Sequence, residues 1–223
     1  GTTVNRYCAS SLQAARMAFH AIKAGEGDAF ISVGVESVTR SPLGLYADQP
    51  ETHNSRLFPG NREEMPNAYM SMGETAENVA DQCAVTREDM DRFAVQSHAR
   101  AVKARENGTF DREIIPVSLL NGDQMTHDEG PRPGTTEEAL AGLRPVFRKG
   151  GRVTAGNSCP LNDGAAAAVI MSDTKAKQLG IEPIARIVST GVSALEPELM
   201  GLGPVEASKQ AFQRAGMTID DVD

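Results

Sequence analysis

The sequence contains no tryptophan, and aromatic residues make up only 4% of its 223 positions. Aromatic platforms for stacking bases or ligand rings are therefore scarce. Basic residues are also in deficit, with 22 Lys and Arg against 30 Asp and Glu, for a net charge of −8. Nonspecific nucleic-acid binding needs a basic footprint, so this charge balance argues against it. A hydrophobic content of 40% is typical of a soluble α/β protein.

Long apolar runs and patterned cysteines are missing as well. No run approaches the roughly 20 apolar residues needed to span a bilayer, and no charged-then-apolar signal segment opens the chain. The three cysteines, Cys8, Cys83 and Cys159, form no CxxC pair and have no neighbouring histidine. This spacing gives no support for a disulfide framework or a zinc site. Reduced thiols in a cytosol-like compartment are the simplest expectation.

The first 37 residues have the pattern of a strand, a tight turn, a helix and a second strand. Thr2–Asn5 is predicted to be the end of a strand, and Ala9–Ser11 the start of a helix. Gly25 is placed to end that helix, and Ala29–Val35 is apolar enough for a strand covered on both faces. The apolar face of the helix is predicted from residues at helical spacing, namely Leu12, Ala15, Ala18, Phe19 and Ile22.

Cys8 falls in the turn between the first strand and the helix. A thiol at a helix N-terminus faces unpaired N–H groups and the positive end of the helix dipole, which favour thiolate. The same groups can hold an oxyanion or a phosphate. A small buried hydrophobic residue is the alternative interpretation. The residues alone leave both open.

Further elements follow along the chain. The spacing predicts a helix over Gly73–Cys83 with Cys83 packed inertly on its apolar face, and Thr86 with Asp89 resembles a capping box that begins the next helix. That helix should end at Asn107-Gly108 and place inward Met90, Phe93, Ala94, Ser97 and Ala101. Strands are predicted over Ala165–Met171 and Ile184–Val192, and a helix over Pro204–Ala215. Alternating strands and helices indicate a parallel or mixed sheet covered by helices.

Five basic residues lie close together in an acidic chain: Arg132, Arg144, Arg148, Lys149 and Arg152. They form either a solvated surface or a clamp for an anionic ligand, since arginine pairs well with phosphate. The pattern itself does not choose between the two.

Four segments together resemble the thiolase family. VNRYCASSLQA is similar to the thiolase nucleophile segment, in which an N-x-x-C-x-S-[SG]-L run carries the acyl-accepting cysteine. GETAENVADQ with TREDMDRFAVQSH, then LRPVFRKGGRVTAGNSCPLNDGAAAAVIMSD, then MGLGPVEASKQAFQRAGMTIDDVD resemble later thiolase segments in the same order. The similarity covers essentially the whole chain.

The resemblance implies an α/β fold of the thiolase-like layered type, with helices covering a mixed sheet and an inserted loop domain. Residues 1–40 would end the N-terminal half with the nucleophile turn, 41–150 would be the coenzyme A-binding loop domain, and 151–223 would start the C-terminal half. The first boundary is predicted near Thr39–Leu43. We expect a central fragment lacking both ends, because the family's N-E-A-F, G-H-P and C-x-G-G segments do not occur here.

Site residues follow from the same resemblance. Cys8 matches the acyl-accepting nucleophile. Coenzyme A contacts are implied at Met72, Arg132, Phe147, Ala155 and Cys159. Arg132 and Phe147 match residues near the nucleotide end, and the stretch from Val153 to Asp173 matches the pantetheine channel. Cys159 stands where thiolases usually have a small residue, so it is either a lining residue or a second nucleophile.

The implied reaction is acyl transfer. The Cys8 thiolate would attack the keto carbon of a 3-ketoacyl-CoA and hold the acyl group until free coenzyme A accepts it in a ping-pong cycle. Coenzyme A is then a substrate, with no permanently bound cofactor and no metal. The resemblance also implies a homodimer or homotetramer, and no partner nucleic acid or membrane. A cytoplasmic, bacterial-type location is expected. The family's activating histidine and second cysteine would lie beyond Asp223, so we expect little turnover from this chain alone.

Three alternatives remain open at the level of the sequence. Biosynthetic acetoacetyl-CoA thiolases commonly have a histidine before the Met-Gly of the loop domain. Ser71 stands there instead, which favours a degradative, β-oxidation type or a broad bacterial type. A ketoacyl-synthase-type condensing enzyme shares the fold and the cysteine nucleophile. A noncatalytic acyl-CoA-binding relative would tolerate Cys8→Ser.

Overall fold

The computed structural model describes residues 1–40, 54–57 and 67–223. Residues 41–53 and 58–66 lie outside this part, so the predicted boundary near Thr39–Leu43 stays a prediction. The described residues form two compact units. The first takes those within Gly1–Asn54, Leu161–Ala194 and Leu202–Asp223, and the second those within Ser55–Pro160 and Leu195–Gly201. The three-part division predicted from the sequence stays a prediction.

The described residues contain α-helices, short 3-10 helices and strands in alternation. The helices are α1 Ser10–Ala24, α2 Met72–Cys83, α3 Arg87–Glu106, α4 Glu137–Ala141, α5 Asp173–Leu179 and α6 Gly203–Ala215. The strands are β1 Ala29–Glu36, β2 Val117–Ser118, β3 Gln124–Met125 and β4 Gly164–Met171. The 3-10 helices are Tyr7–Ala9, Ser55–Leu57, Thr109–Arg112, Pro197–Leu202 and Ile219–Asp221.

The first unit is built on the antiparallel pair β1 and β4, in which Ala29 pairs with Met171 and Glu36 with Gly164. Helix α1 packs on one face of β1, where Ser32 is buried. The other face carries Ile31, Val33 and Val35, which are exposed. The expectation that β1 is covered on both faces is therefore wrong, because α1 covers only alternate residues of the strand.

Asp163 ties the two strands together at the end where β1 finishes and β4 begins. Its carboxylate accepts from the Thr39 N–H at 2.9 Å and from the hydroxyl groups of Thr39 and Ser37. These residues follow β1, whereas Asp163 directly precedes β4. Hydrogen bonding by Thr39 lowers the pKa of the Asp163 carboxyl.

Two predicted strands do not form. Thr2–Asn5 has no regular structure, and β1 and β4 make a two-stranded sheet with no neighbour for it in the described chain. The segment Ile184–Val192 instead packs against α6. The Ser189 hydroxyl donates to the Ala211 carbonyl at 2.7 Å, and a side chain at Gly191 would overlap the Ala207 carbonyl. Without ladder hydrogen bonds, an apolar β-branched run does not become a strand.

The predicted helix ends are confirmed. Gly25 ends α1 in the left-handed region at φ +78°, which glycine adopts at low cost. Thr86 and Asp89 form the capping box of α3, and Asn107 ends that helix.

The second unit contains α2, α3, α4 and the β2–β3 ladder, with Ala80, Leu140 and Val153 as its buried apolar residues. The predicted inward face of α3 is wrong at Phe93, which is 71% exposed, and at Ser97, which is also exposed, while Asp91 is 3% exposed. Asp91 is buried because Arg87 pairs with it at 2.7 Å. The same guanidinium donates to the carbonyl of Leu140 at 2.6 Å, which holds α4 against α3.

Among the helices of the described residues, none has the length and apolar character needed to cross a membrane.

Candidate functional site

The turn that carries Cys8 is held by local hydrogen bonds. The Tyr7 N–H donates to Asn5 Oδ1 at 2.9 Å. The Ser10 hydroxyl accepts from the Arg6 N–H at 2.8 Å and donates to the Tyr7 carbonyl at 2.7 Å. Tyr7 itself has φ +49°, a left-handed conformation that is uncommon for a residue with a bulky side chain. The backbone around the cysteine is therefore fixed in a turn rather than extended.

Cys8 lies within the 3-10 turn Tyr7–Ala9 and precedes the first residue of α1, Ser10, by two positions. Cys8 is exposed, so its interpretation as a buried hydrophobic residue is wrong. The first turn of α1 is brought close to β1 because the Ser11 hydroxyl fills the space where a side chain at Gly34 would be. An exposed thiol at the start of a firmly seated helix can act as a nucleophile.

The coenzyme A contacts implied by the resemblance lie in the second unit, and two of them come together. Met72 is the first residue of α2 and is 52% exposed. The ring of Phe147 lies directly over the neighbouring Gly73, where any side chain would overlap it. Phe147 is still 43% exposed. Phe147 thus lies against the N-terminus of α2, next to the position of Met72, and both residues retain surface that a ligand can reach.

Ser71 caps the same helix, since its side chain accepts from the Glu74 N–H. It is the residue at the position where biosynthetic thiolases commonly have a histidine. Its hydroxyl therefore has a structural use here that an imidazole would not fill in the same way.

The remaining implied contacts occupy separate loops of the unit. The Arg132 N–H donates to His98 Nδ1 on α3 at 3.2 Å, and Arg132 is exposed. Ala155 is exposed between Thr154, which is fully buried, and half-buried Gly156. Cys159 is exposed.

The basic cluster divides into two groups. Arg148 pairs with Glu74 at 2.9 Å and with Asp81 at 3.0 Å, and Arg152 pairs with Asp81 at 2.6 Å. A hydrogen bond from Arg152 is the largest cause that lowers the pKa of the Asp81 carboxyl. Both arginines form ion pairs with carboxylates of α2. The interpretation of all five basic residues as a clamp for an anionic ligand is therefore wrong. In the described part of the chain, Arg132, Arg144 and Lys149 have no ion-pair partner.

Cys83 differs from its prediction. It is the last residue of α2 and is exposed rather than packed inertly. The helix ends there, with Ala84 in the left-handed region at φ +53°. All three thiols are therefore open to reagents.

Sequence reasoning missed two buried carboxylates, Glu77 and Asp91, which are 1% and 3% exposed. Glu77 stands one turn before Ala80, on the inward side of α2, and a glutamate at an inward position was the available signal. The described residues contain no group of three or more His, Cys, Asp or Glu side chains that could hold a metal ion.

Comparison with known proteins shows the family. The model of the thiolase N-terminal domain matches residues 1–174, and that of the thiolase C-terminal domain matches residues 181–223. The chain belongs to the thiolase family, as the sequence predicted.

Individual relatives agree. The chain is 43% identical over 236 residues to the 3-oxoadipyl-CoA/3-oxo-5,6-dehydrosuberyl-CoA thiolase of Escherichia coli K12, covering all of this chain and 59% of that protein. It is 43% identical over 228 residues to a 3-ketoacyl-CoA thiolase of Idiomarina loihiensis, of which it covers 57%. The chain thus spans less than two thirds of the length of these relatives.

The fold is shared with solved thiolases. The structure of the dimeric peroxisomal thiolase of Saccharomyces cerevisiae superposes with a TM-score of 0.88 at 34% identity, over 99% of this chain and 56% of that one. The predicted thiolase-like α/β fold is confirmed.

Proposed function

We propose that the protein is an acyl-CoA acyltransferase that cleaves 3-ketoacyl-CoA with coenzyme A. The observation that carries the proposal is the exposed Cys8 in the fixed turn before α1, at the position of the nucleophile segment in a chain of the thiolase family. Its relatives are named thiolases, acyltransferases and acetyltransferases.

The chemistry requires one thiol and two coenzyme A species. The Cys8 thiolate attacks the keto carbon, the bond between the α and β carbons breaks, and the acetyl-CoA enolate takes up a proton and leaves. The acyl group stays on Cys8 as a thioester. The thiol of a second coenzyme A then attacks this thioester, transfers its proton and releases the shortened acyl-CoA and the free cysteine. Atoms balance without an oxidant, a metal or a bound cofactor.

The coenzyme A contacts we propose are Met72, Arg132, Phe147, Ala155 and Cys159. Support comes from the position of Phe147 over Gly73, the neighbour of Met72 at the N-terminus of α2, and from the exposure of Arg132 without an ion-pair partner among the described residues. Arginine without a carboxylate partner suits a nucleotide phosphate. We assign Cys159 to the lining of the pantetheine path rather than to a second nucleophile.

The substrate preference proposed is for longer 3-ketoacyl chains in β-oxidation, or for a broad range of chain lengths, over acetoacetyl-CoA alone. Ser71, which caps α2, replaces the histidine expected of a biosynthetic enzyme. Comparing the rates of thiolysis of acetoacetyl-CoA and of a medium-chain 3-ketoacyl-CoA by the protein tests this. A strong preference for the four-carbon substrate would contradict it.

We further propose a homo-oligomer, dimer or tetramer, in the cytoplasm. Support for the assembly is limited to the relative from Saccharomyces cerevisiae, whose structure is described as dimeric.

The test of the proposed function is to mix the chain with acetoacetyl-CoA and to map the adduct by intact mass and peptide mass spectrometry. We expect an acetyl group on Cys8 and none after Cys8→Ser. Cys83→Ser is the matched control, because Cys83 is also exposed. An adduct on Cys159 would overturn the site assignment, and acyl transfer that persists in Cys8→Ser would show that Cys8 is not the acyl acceptor.

A further inference from the structure

The buried carboxylate of Glu77 accepts its hydrogen bonds from backbone N–H groups. Its residue is 1% exposed, and its Oε1 accepts from the N–H groups of Arg152 and Val153, both at 2.7 Å. Oε2 has no hydrogen-bond partner among the described residues, and the Arg152 guanidinium lies 4.0 Å away. A buried carboxylate with one unsatisfied oxygen is weak as a source of stability. The arrangement therefore indicates a role in placing the backbone at residues 152 and 153.

Gly151 shows how closely that backbone is pressed against α2. A side chain at position 151 would overlap Oε1 of Glu77. The absence of a side chain at 151 and the carboxylate at 77 thus depend on each other. The close contact between Gly151 and Glu77 therefore fixes where the segment around residue 151 lies against α2.

A second tether acts on the other side of Ala155. The Thr154 N–H donates to Asn157 Oδ1 at 2.8 Å. The Asn157 amide donates to the buried Asp91 at 2.9 Å and to the Arg152 carbonyl at 2.9 Å. The backbone before Ala155 is thus held by Glu77, and the backbone after it by Asp91 through Asn157.

At the start of the loop, Arg148 is anchored as well. Its guanidinium donates to Glu74 at 2.9 Å and to Asn78 at 2.7 Å, both on α2. Its neighbour Phe147 lies over Gly73. Phe147 and Ala155 are both proposed coenzyme A contacts. The backbone that connects them is held against α2 at residues 148, 152 and 153.

We propose that Glu77 is a positioning residue for coenzyme A. It acts through the N–H groups of Arg152 and Val153 and sets the spacing between Phe147 and Ala155, without touching the ligand. The proposal rests on the proposed function, because the coenzyme A contacts come from it.

The main experiment uses Glu77→Gln in the full chain. Glutamine keeps the volume and one accepting oxygen but loses the charge, and hydrogen bonds to charged groups are about twice as strong as neutral ones. We expect the Kd of free coenzyme A, measured by calorimetry, to rise about five- to tenfold. Acetylation of Cys8 by S-phenyl thioacetate, which has no pantetheine arm, should keep its rate within about twofold.

Gly151→Ala reaches the same contact from the loop side and should produce the same split between the two readouts. If Glu77→Gln does not fold, Gly151→Ala tests the role of Glu77 by the same comparison of coenzyme A affinity with the rate of Cys8 acetylation. The controls are Glu88→Gln, an exposed glutamate on the first turn of α3, and Gly142→Ala, whose added carbon would lie 3.7 Å from the Ala139 carbonyl in ordinary contact. Both should bind coenzyme A as the unaltered chain does.

The outcomes separate the two proposals. Binding of coenzyme A by the unaltered chain and equal binding by Glu77→Gln overturns the role of Glu77 alone. Equal losses of coenzyme A affinity and of Cys8 acetylation also overturn it, since a general loss of structure would act on both. Failure of the unaltered chain to bind coenzyme A would overturn the proposed function and the role of Glu77 with it.

Discussion

Individual side chains decide how closely the elements of this protein approach each other. Ser11 on α1 fills the space above Gly34 on β1, and Phe147 fills the space above Gly73 on α2. In both pairs a side chain from one element occupies the position of the missing Cβ on another. Glycine is needed at these sites for close approach rather than for backbone freedom.

Gly34→Ala should therefore destabilise the protein. The new Cβ would overlap the Ser11 hydroxyl, and overpacking of this kind costs about 1–3 kcal/mol. Adding Ser11→Ala should recover most of the loss, because it removes the overlapping oxygen and leaves the Ser11 Cβ at 3.1 Å. Urea denaturation of the four chains in a double-mutant cycle measures the coupling. Additive effects would show that the two residues do not share this space.

Cys8 is the proposed site residue whose turn the sequence could predict. Its turn depends on neighbours within a few positions, namely Asn5, Tyr7 and Ser10, so the local pattern was sufficient. Glu77 could not be found that way. Its partners are 75 and 76 positions away along the chain, and no local period predicts which distant N–H groups meet a buried carboxylate.

At the level of elements, the Asp163 bridge joins the segment after β1 to the start of β4. Its pKa is lowered, mainly because the Thr39 hydroxyl and N–H donate to the carboxylate. A group whose folded pKa is depressed adds stability above its unfolded pKa, near 3.9 for aspartate, and loses that contribution as the pH falls through the folded pKa.

We therefore expect the Tm of the unaltered chain to fall more steeply below about pH 4 than that of Asp163→Asn. At neutral pH the variant should melt at a lower temperature, and the two curves should approach each other in acid. Thr39→Val removes the largest cause of the shift but leaves the N–H, so it should behave as an intermediate. Thermal unfolding across a pH series checks this, and parallel curves would rule out Asp163 as a source of acid sensitivity.

Helix ends were predictable because the signals are local. Gly25 and the capping box of Thr86 and Asp89 act within one turn. The faces of the helices and strands were not equally predictable. Phe93 is exposed and Asp91 is buried on α3 because Arg87 and α4 supply partners for the carboxylate. The run Ile184–Val192 has strand composition but no ladder partner among the described residues. Its Ser189 contacts α6, and its Thr190 contacts α1.

At the scale of the whole molecule, the proposed chemistry and the proposed ligand contacts belong to different compact units. Cys8 lies in the first unit, and the five proposed coenzyme A contacts lie in the second. Substitutions in the second unit should therefore change ligand affinity without changing the intrinsic reactivity of the thiol.

Arg132→Ala should raise the Kd of coenzyme A about three- to tenfold, through loss of one charge-assisted contact with a phosphate. The rate at which iodoacetamide alkylates Cys8 should stay the same. The matched control is Arg92→Ala, because Arg92 is an exposed arginine that pairs with Asp89 on α3. Unchanged affinity in Arg132→Ala would remove Arg132 from the site, and a change in alkylation rate would show that the units are coupled.

The pairing of β1 with β4 has a consequence during synthesis. Glu36 can pair with Gly164 only after Gly164 has been synthesised, 128 residues later. At the usual 5–20 residues per second this takes roughly 6–26 s. Helix α1 and β1 are neighbours in sequence and can associate early. Through that interval the hydrogen-bonding edge of β1, with Ile31, Val33 and Val35 beside it, is open to another nascent chain. Polysomes, in which several nascent copies of this chain lie close together on one message, are where misassembly would begin, and slower elongation past residue 36 would lengthen the exposure.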